Sequence, residues 1–312
     1  MRQQAVNMVD TLARRDDRVV FIGSDLGPGV LKGMKRDMPE RFFMEGVAEQ
    51  HIVGMAAGLA MEGFIPYVNT IATFLTRRCF DQLAIDVCME NLPVRLIATG
   101  GGTVYAPLGP THLAFEDIAI LRALPNMTIV APVDEVEMVK LLDASLDWPG
   151  PLYIRVGKGN EPVVTDADTP FAIGRALEMR APGEVAIVAT GIVTAKALAA
   201  AEMLEAHGIR AGVLHMATVK PLDADAVRRV AAGARLVVTV EEHTRMGGLG
   251  SAVAELMAEE PTGARLLRLA MPDAFPEGYG GNDHLMRLAG LQPDQIADSV
   301  AAALHRKPGE VA

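Results

Sequence analysis

Apolar and polar residues follow one another along the chain in blocks that predict strands and helices in turn. Short runs rich in valine and isoleucine lie at residues 18–23, 94–99, 127–131, 185–191, 210–215 and 235–240. Uninterrupted apolar runs that end in turns are typical of parallel strands buried on both faces. Longer helical patterns lie between them, including one that continues through Leu204. The pattern predicts an α/β protein in which each half is a mainly parallel sheet flanked by helices.

The polar stretch that follows Lys158 separates two series of strands. We place a first domain at residues 1–165 and a second at residues 172–312. Open parallel sheets bind ligands at the carboxyl ends of their strands. We therefore expect functional residues in the loops at 23–29, 99–112 and 241–250.

Composition narrows the classes of partner. The 312 residues are 50% hydrophobic, which is enough apolar material for two cores. The formal net charge of -10 argues against nucleic acid or an anionic membrane surface as a partner. Cys79 and Cys88, the two cysteines, fall in one expected helix and suggest neither a disulfide framework nor a zinc site.

The N-terminal residues enter an amphipathic pattern with no long apolar core and no small-residue cleavage site. No apolar run reaches the roughly 20 residues that span a bilayer. We therefore expect a cytoplasmic protein.

One acidic residue precedes an otherwise apolar helical pattern. Glu49 is followed by Val53, Ala56, Ala57 and Ala60, a spacing that predicts a tightly packed helix with a carboxylate in its first turn. The helix dipole alone favours negative charge at that position, so the pattern allows a structural as well as a functional interpretation.

Further segments extend this pattern: residues 72–82, 108–112 and 154–159. Together with residues 46–58, and in this order and spacing, they resemble the pyrimidine-binding and C-terminal domains of the transketolase family of thiamine diphosphate enzymes. The resemblance covers nearly the whole chain. It is strongest to transketolase subunits encoded as two chains, followed by deoxyxylulose-phosphate synthase and the beta subunits of 2-oxo acid dehydrogenases.

The resemblance implies roles at the cofactor. Glu49 matches the family's catalytic glutamate, which protonates a ring nitrogen of the cofactor's pyrimidine; a buried carboxylic acid suits this task. Phe74 matches the aromatic residue that stacks on that ring, although a core phenylalanine would fit the same local pattern. For Asp25 we expect a contact with either the cofactor or a partner chain. His112 matches the histidine of the family's Thr-His motif and would bind substrate oxygens or move protons, the alternative being a cap on a helix that starts near Leu113.

The resemblance also implies a site for the phosphate of a sugar substrate. Arg155, Arg2 and Ser24 match phosphate-binding positions of the family, and Arg77 is a further candidate. Arginine suits this role because its planar fork donates two parallel hydrogen bonds. The alternative for each arginine is a salt bridge at the surface or between domains.

Two positions depart from the family pattern. Transketolase and deoxyxylulose-phosphate synthase carry an aspartate four residues before the motif histidine, where this chain has Leu108. Transketolase carries another histidine twelve residues before the motif histidine, where this chain has Gly100. Both changes remove polar groups, which argues against selectivity for ordinary pentose phosphates and favours a modified sugar or an unusual acceptor.

The sequence has no Gly-Asp-Gly triplet, the motif with which the family holds the cofactor's diphosphate and a divalent metal. We therefore expect no metal ligand in this chain, and expect a separate subunit to hold Mg²⁺ and the diphosphate. The resemblance further implies a homodimer of this chain within an α2β2 complex. The glycine-rich turn after Glu241 and Glu242 is interpreted as structural and interfacial.

The expected reaction transfers a two-carbon ketol unit from a ketose to an aldehyde. One alternative is the beta subunit of a 2-oxo acid dehydrogenase, or a deoxyxylulose-phosphate synthase-like enzyme; the other is a non-catalytic scaffold subunit. The dehydrogenase alternative is disfavoured by Thr111, His112 and Arg155, and the scaffold by the joint presence of Glu49, Phe74 and His112.

Overall fold

The computed structural model describes residues 1–24, 30–157, 159–277 and 280–305, and two β-sheets covered by helices form its framework. The first sheet has seven strands and the second has five. Neighbouring strands run parallel except where Thr218–Lys220 pairs with Thr128–Val130 and where Leu177–Arg180 pairs with Ala211–His215. This confirms the α/β prediction.

The strands of the first sheet, in spatial order, are β10 (Thr218–Lys220), β5 (Thr128–Val130), β6 (Leu152–Val156), β4 (Arg95–Thr99), β3 (Ile65–Ile71), β1 (Val19–Gly23) and β2 (Phe42–Met44). Those of the second sheet are β12 (Arg265–Met271), β11 (Leu236–Thr244), β8 (Val185–Ala189), β9 (Ala211–His215) and β7 (Leu177–Arg180).

Helices α1 to α7 belong to the first half and α8 to α12 to the second. They are α1 (Arg2–Arg15), α2 (Lys32–Asp37), α3 (Glu49–Met61), α4 (Ala72–Arg78), α5 (Phe80–Gln82), α6 (Asp117–Arg122), α7 (Glu135–Ser145), α8 (Thr194–Ala206), α9 (Ala224–Ala232), α10 (Leu249–Glu259), α11 (Asn282–Leu288) and α12 (Pro293–His305). Short 3-10 turns occupy Pro39–Arg41, Ala106–Leu108, Pro110–His112 and Gly191–Val193, and a π-helix occupies Leu83–Cys88.

The apolar runs of the sequence form the central strands. Every residue of β1, β4, β6, β8 and β9 is buried. Helices cover both faces of such strands, which is why their sequences lack the apolar–polar alternation of a half-exposed sheet.

One strand of the second half completes the sheet of the first. β10 pairs antiparallel with β5, with Thr218 opposite Val130. The connection is reinforced by the buried side chains of Glu137 on α7 and His215 at the end of β9, which lie 2.9 Å apart. The two halves are therefore joined by backbone pairing as well as by side chains. The domain boundaries at residues 165 and 172 stay a prediction.

Two local expectations were wrong. No helix starts near Leu113; residues 110–112 form a 3-10 turn, Leu113 is extended, and α6 begins at Asp117. Cys79 and Cys88 do not share one regular helix, because Cys79 separates α4 from α5 and Cys88 ends the π-helix.

Within the described residues, no helix is both long and apolar enough to cross a membrane. The cytoplasmic location stays a prediction.

Candidate functional site

The candidate site begins at the N-terminus of α3. Glu49 is the first residue of this helix, and its side chain is only 4% exposed. Its Oε2 accepts a hydrogen bond of 3.0 Å from Nη1 of Arg78, whose side chain is half exposed. A buried carboxylate of this kind requires a partner or a proton.

Three predicted residues, together with Arg78, form one group. The guanidinium carbon of Arg78 lies 4.1 Å from the centre of the Phe74 ring, and the Phe74 and His112 ring centres are 5.1 Å apart in an edge-to-face arrangement. We call Glu49, Phe74, Arg78 and His112 the Glu49 cluster. It brings the N-terminus of α3, helix α4 and the loop after β4 to one place.

Sequence reasoning missed Arg78. The available signal was its spacing from Phe74, since residues four apart on a helix lie on the same face. Arginine often stacks on aromatic rings, so the pair could have been anticipated.

The structure places His112 on a turn rather than a helix cap. His112 is the last residue of the 3-10 turn Pro110–His112, and its Nδ1 lies 3.0 Å from the hydroxyl of Thr111. Since α6 begins at Asp117, the helix-capping interpretation of His112 does not apply.

Next to Phe74, the buried hydroxyl of Thr73 has no hydrogen-bond partner among the described residues. Buried polar atoms without partners are uncommon and call for an explanation. Separately, the half-buried face of Phe74 and the buried carboxyl of Glu49 fit a planar heterocycle that carries an apolar face and a hydrogen-bonding edge.

Metal ligands are not grouped in this part of the chain. In the ranges described above, no group of three or more histidine, cysteine, aspartate or glutamate residues could hold a metal ion.

Ser24 lies at the carboxyl end of β1 and is buried; its hydroxyl donates to Oγ1 of Thr70 at 2.7 Å. Asp25, the neighbouring candidate, lies outside the described residues.

Arg2 lies near the loop that bears His112. Its Nη1 is 3.4 Å from the hydroxyl of Tyr105. The Tyr105 ring also fills the space beside Gly100, because a Cβ added there would lie 2.1 Å from a ring carbon. A side chain at position 100 would therefore displace Tyr105.

Arg77 and Arg155 have extensive contacts within the chain. Arg77 forms an ion pair with Glu116 and donates to the Leu113 carbonyl at 3.1 Å. Arg155 is buried and binds both carboxylate oxygens of Asp117, at 2.8 and 3.0 Å. For both arginines these contacts match the salt-bridge alternative; their role in binding substrate is not tested by them.

The Asp117–Arg155 ion pair is buried, and burial by itself disfavours the charged form of each group. Burial alone would lower the pKa of Arg155 and raise that of Asp117, but their mutual attraction outweighs burial and shifts both in the opposite direction. Tyr153 also donates to Asp117, at 2.7 Å. Both groups are therefore held in their charged forms.

The second half contributes three adjacent side chains at the end of β11. Glu241 accepts hydrogen bonds from the amides of Leu249 and Gly250 at the start of α10, while burial raises its pKa to about 7. Burial lowers the pKa of His243 to about 4, and its Nε2 accepts a hydrogen bond from the Ala119 amide. His243 is therefore neutral near pH 7 and joins the two halves.

Glu242 points the other way from Glu241, into the first half. Its Oε1 accepts from the amide and hydroxyl of Thr103 and from Nδ2 of Asn282. Glu242 also lines a cleft of about 590 Å³ between the halves, of which the Glu49 cluster is not a part.

Comparison with known families gives two matches. The model of the transketolase pyrimidine binding domain matches residues 1–163, and that of the transketolase C-terminal domain matches residues 174–296.

Curated relatives include whole enzymes and separate subunits. A 1-deoxy-D-xylulose-5-phosphate synthase from Synechococcus is 40% identical over 93% of this chain, but this chain spans only 45% of that protein. A 6-deoxy-6-sulfo-D-fructose transketolase subunit from Clostridium is 36% identical, and the match covers 98% of this chain and 95% of that subunit.

Among solved structures, a split gene transketolase described as an inactive beta4 tetramer superposes with a TM-score of 0.88 at 36% identity, covering 97% of both chains. A transketolase from Pichia stipitis superposes with a TM-score of 0.76 at 19% identity, which supports the fold alone.

Proposed function

Because this chain belongs to the transketolase family, we propose that it is the pyrimidine-binding and C-terminal subunit of a split, thiamine diphosphate-dependent transketolase. The reaction transfers a two-carbon ketol unit from a ketose to an aldehyde acceptor. The observation that carries this proposal is the Glu49 cluster, in which a buried acid, an aromatic face and a histidine from three separate segments meet.

The three predicted residues of the cluster have distinct tasks. Thiamine diphosphate supplies the carbanion chemistry when bound. Glu49 holds a proton against a ring nitrogen, Phe74 provides an apolar face for the ring, and His112 hydrogen-bonds substrate oxygens or moves a proton.

A second polypeptide holds the diphosphate and Mg²⁺ in this proposal. The absence of a Gly-Asp-Gly triplet from the sequence supports this assignment. The Clostridium relative of nearly equal length, which is described as a subunit, supports it further. The active enzyme would be an α2β2 complex built around a homodimer of this chain.

The substrate we propose is a sugar with an anionic group at one end. Among the described residues, the polar side-chain contact of Arg2 is a single bond of 3.4 Å to Tyr105, whereas Arg77 and Arg155 are bound to carboxylates. Arg2 is therefore the first of the predicted arginines that we assign to the anion, with Ser24 beside the end of β1.

A deoxyxylulose-phosphate synthase-like reaction is the second candidate. It is favoured by the 40% identity to the Synechococcus synthase. Leu108 does not separate the two candidates, because transketolase and deoxyxylulose-phosphate synthase both carry an aspartate at that position. The products distinguish the candidates. The synthase-like reaction and the 2-oxo acid dehydrogenase reaction both release carbon dioxide from a 2-oxo acid, whereas ketol transfer releases none.

The first experiment is a calorimetric titration of thiamine diphosphate with Mg²⁺ into the purified chain, with and without the candidate diphosphate-binding subunit. Binding that needs both chains supports the split site. The same mixture is then assayed for ketol transfer and for carbon dioxide release from 2-oxo acids. Ketol transfer by this chain without any partner would contradict the split-site proposal.

Glu49→Gln tests the catalytic assignment directly. We expect turnover to disappear while assembly with the partner is unchanged. Glu62→Gln, at the exposed end of the same helix, is the matched control and should retain activity. Full activity in Glu49→Gln would exclude the assigned role, and inactivity of the unmodified complex with every donor would favour the scaffold alternative.

A further inference from the structure

The loop that bears His112 is a closed structural unit. Two hydrogen bonds of 2.9 Å join Gly102 and Ala114 in an isolated antiparallel bridge. We call residues 103–113 between them the His112 loop. It contains Leu108 as well as His112, so its stem sets where both side chains lie.

The first end of the His112 loop is held by a side chain of the second half. Glu242 Oε1 accepts hydrogen bonds of 2.8 and 2.5 Å from the amide and hydroxyl of Thr103. Asn282, at the start of α11, donates to the same Glu242 oxygen at 2.6 Å and to the Thr103 hydroxyl at 2.9 Å. Thr103 is thus fixed by two elements of the second half.

The end of the loop stem at Ala114 and Phe115 is held by β11, the strand that carries Glu242. The amide of Thr244 donates to the Phe115 carbonyl at 2.6 Å. Arg155 Nη2 bridges the halves, because it donates to the Ala114 carbonyl at 2.8 Å and to the Glu242 carbonyl at 2.9 Å. Residues 242–244 of β11 therefore form hydrogen bonds with both sides of the loop stem.

The fit at Glu242 leaves little freedom. Its side chain is 2% exposed, and a Cβ added at Gly102 would lie 2.5 Å from its carboxyl carbon. Burial raises the pKa of Glu242, so the neutral acid is favoured more than it would be in water. Glutamine at this position would preserve both the shape and an accepting oxygen.

We propose that Glu242 is a positioning residue for His112: through Thr103 and Asn282 it fixes the stem of the His112 loop from the C-terminal domain. That domain contributes no member of the Glu49 cluster, yet it would control the alignment of one of its members. The consequence for turnover rests on the proposed function, whereas the consequence for the order of the loop does not.

The test compares two neighbouring buried acids. Glu242→Ala removes the anchor of the His112 loop, while Glu241→Ala removes hydrogen bonds to α10 within its own domain. In the complex with the diphosphate-binding subunit, we expect Glu242→Ala to lower kcat about tenfold, because small displacements of catalytic groups are costly. Glu242→Gln should rescue most of this loss, and Glu241→Ala should change kcat much less.

Hydrogen–deuterium exchange on the isolated chain provides a readout that needs no activity. Glu242→Ala should speed exchange in residues 101–116, and Glu241→Ala in α10 instead. Equal exchange in residues 101–116 for Glu242→Ala and the unmodified chain would overturn the positioning role, even if ketol transfer is found. The expected exchange pattern in a complex that lacks ketol transfer would uphold positioning and defeat the proposed function.

Discussion

At the residue scale, Arg78 changes the picture of the Glu49 cluster. Its guanidinium lies over the Phe74 ring and also holds the Glu49 carboxylate, so it covers the two groups assigned to the cofactor ring. A ring that stacks on this face of Phe74 and reaches Glu49 must displace it. The half-exposed position of Arg78 gives the side chain room to move into solvent.

Arg78→Ala should therefore strengthen cofactor binding. Removal of a half-exposed ion pair and ring contact amounts to about 1 kcal/mol or less, which corresponds to an affinity gain of about three- to fivefold. The measurement is calorimetric titration of the assembled complex with thiamine diphosphate and Mg²⁺. Arg77→Ala is the matched control, because the adjacent Arg77 pairs with Glu116 instead. Weaker binding by Arg78→Ala would mean that Arg78 assists the cofactor.

Leu108 offers a second test at this scale. It is half exposed on the His112 loop, at the position where the family pattern described above has an aspartate. In Leu108→Asp we expect the ratio of kcat/KM for a hydroxyl-bearing substrate to that for its deoxy analogue to rise about fivefold, since one well-made hydrogen bond contributes about 1 kcal/mol. Met203→Asp introduces the same charge on α8 and should leave this ratio unchanged. An unaltered ratio in Leu108→Asp would separate Leu108 from substrate selection.

At the element scale, the sequence pattern predicts what is local and misses what depends on distant pairing. The buried strands β1, β4 and β8 follow from their apolar runs. The three residues of β10 cross into the first sheet, which no local periodicity indicates. Arg155 shows the same limit for the site, because its partner Asp117 lies 38 positions away and only the fold brings them together.

The start of α7 is the element whose contribution can be measured most directly. Asp134 caps this helix by accepting from the amides of Val136 and Glu137, and it also accepts from the amides of Val164 and Thr165 in the following polar stretch. Asp134→Ala removes these four contacts and also the hydrogen bonds from the Thr165 hydroxyl to the same carboxylate. We expect a loss of about 2–4 kcal/mol in the free energy of unfolding, measured by urea denaturation. Asp143→Ala, near the exposed end of the same helix, should cost far less. Equal losses would contradict the assigned role.

The same variant has a pH signature. Burial alone would raise the pKa of Asp134, but hydrogen bonds from Glu137 and Thr165 outweigh it and hold the pKa below its usual 3.8. A lowered folded-state pKa stabilises the protein above the unfolded-state value, and this stabilisation is lost as the pH falls through the folded-state pKa. The stability difference between the unmodified chain and Asp134→Ala should therefore shrink below about pH 4. A difference that does not change with pH would contradict this.

At the scale of the whole molecule, exposed apolar side chains lie directly before the start of α3. Met44 ends β2 and Val47 lies on the loop before α3, and both are large apolar side chains with exposed surface. Exposed apolar side chains that share one region commonly mark an interface. Glu49, assigned to the cofactor, lies between Val47 and the rest of α3, so an interface here would also complete the candidate site.

We therefore predict that the isolated chain self-associates without ketol transfer activity, and that the diphosphate-binding subunit converts it into a mixed, active complex. The solved split gene transketolase to which this chain is similar is described as an inactive beta4 tetramer. Sedimentation and light scattering report the assembly, and the ketol transfer assay reports the activity.

Two lysine variants locate the interface. Val47→Lys places a charge at a side chain that is 72% exposed and lies two residues before Glu49, whereas Leu288→Lys places one at a side chain that is 67% exposed on α11. Loss of assembly and activity in Val47→Lys alone would place the interface at the Glu49 cluster, because burying an unpaired charge disfavours only the contact that contains it. The opposite pattern would move the interface to the C-terminal domain and leave the Glu49 cluster open to solvent.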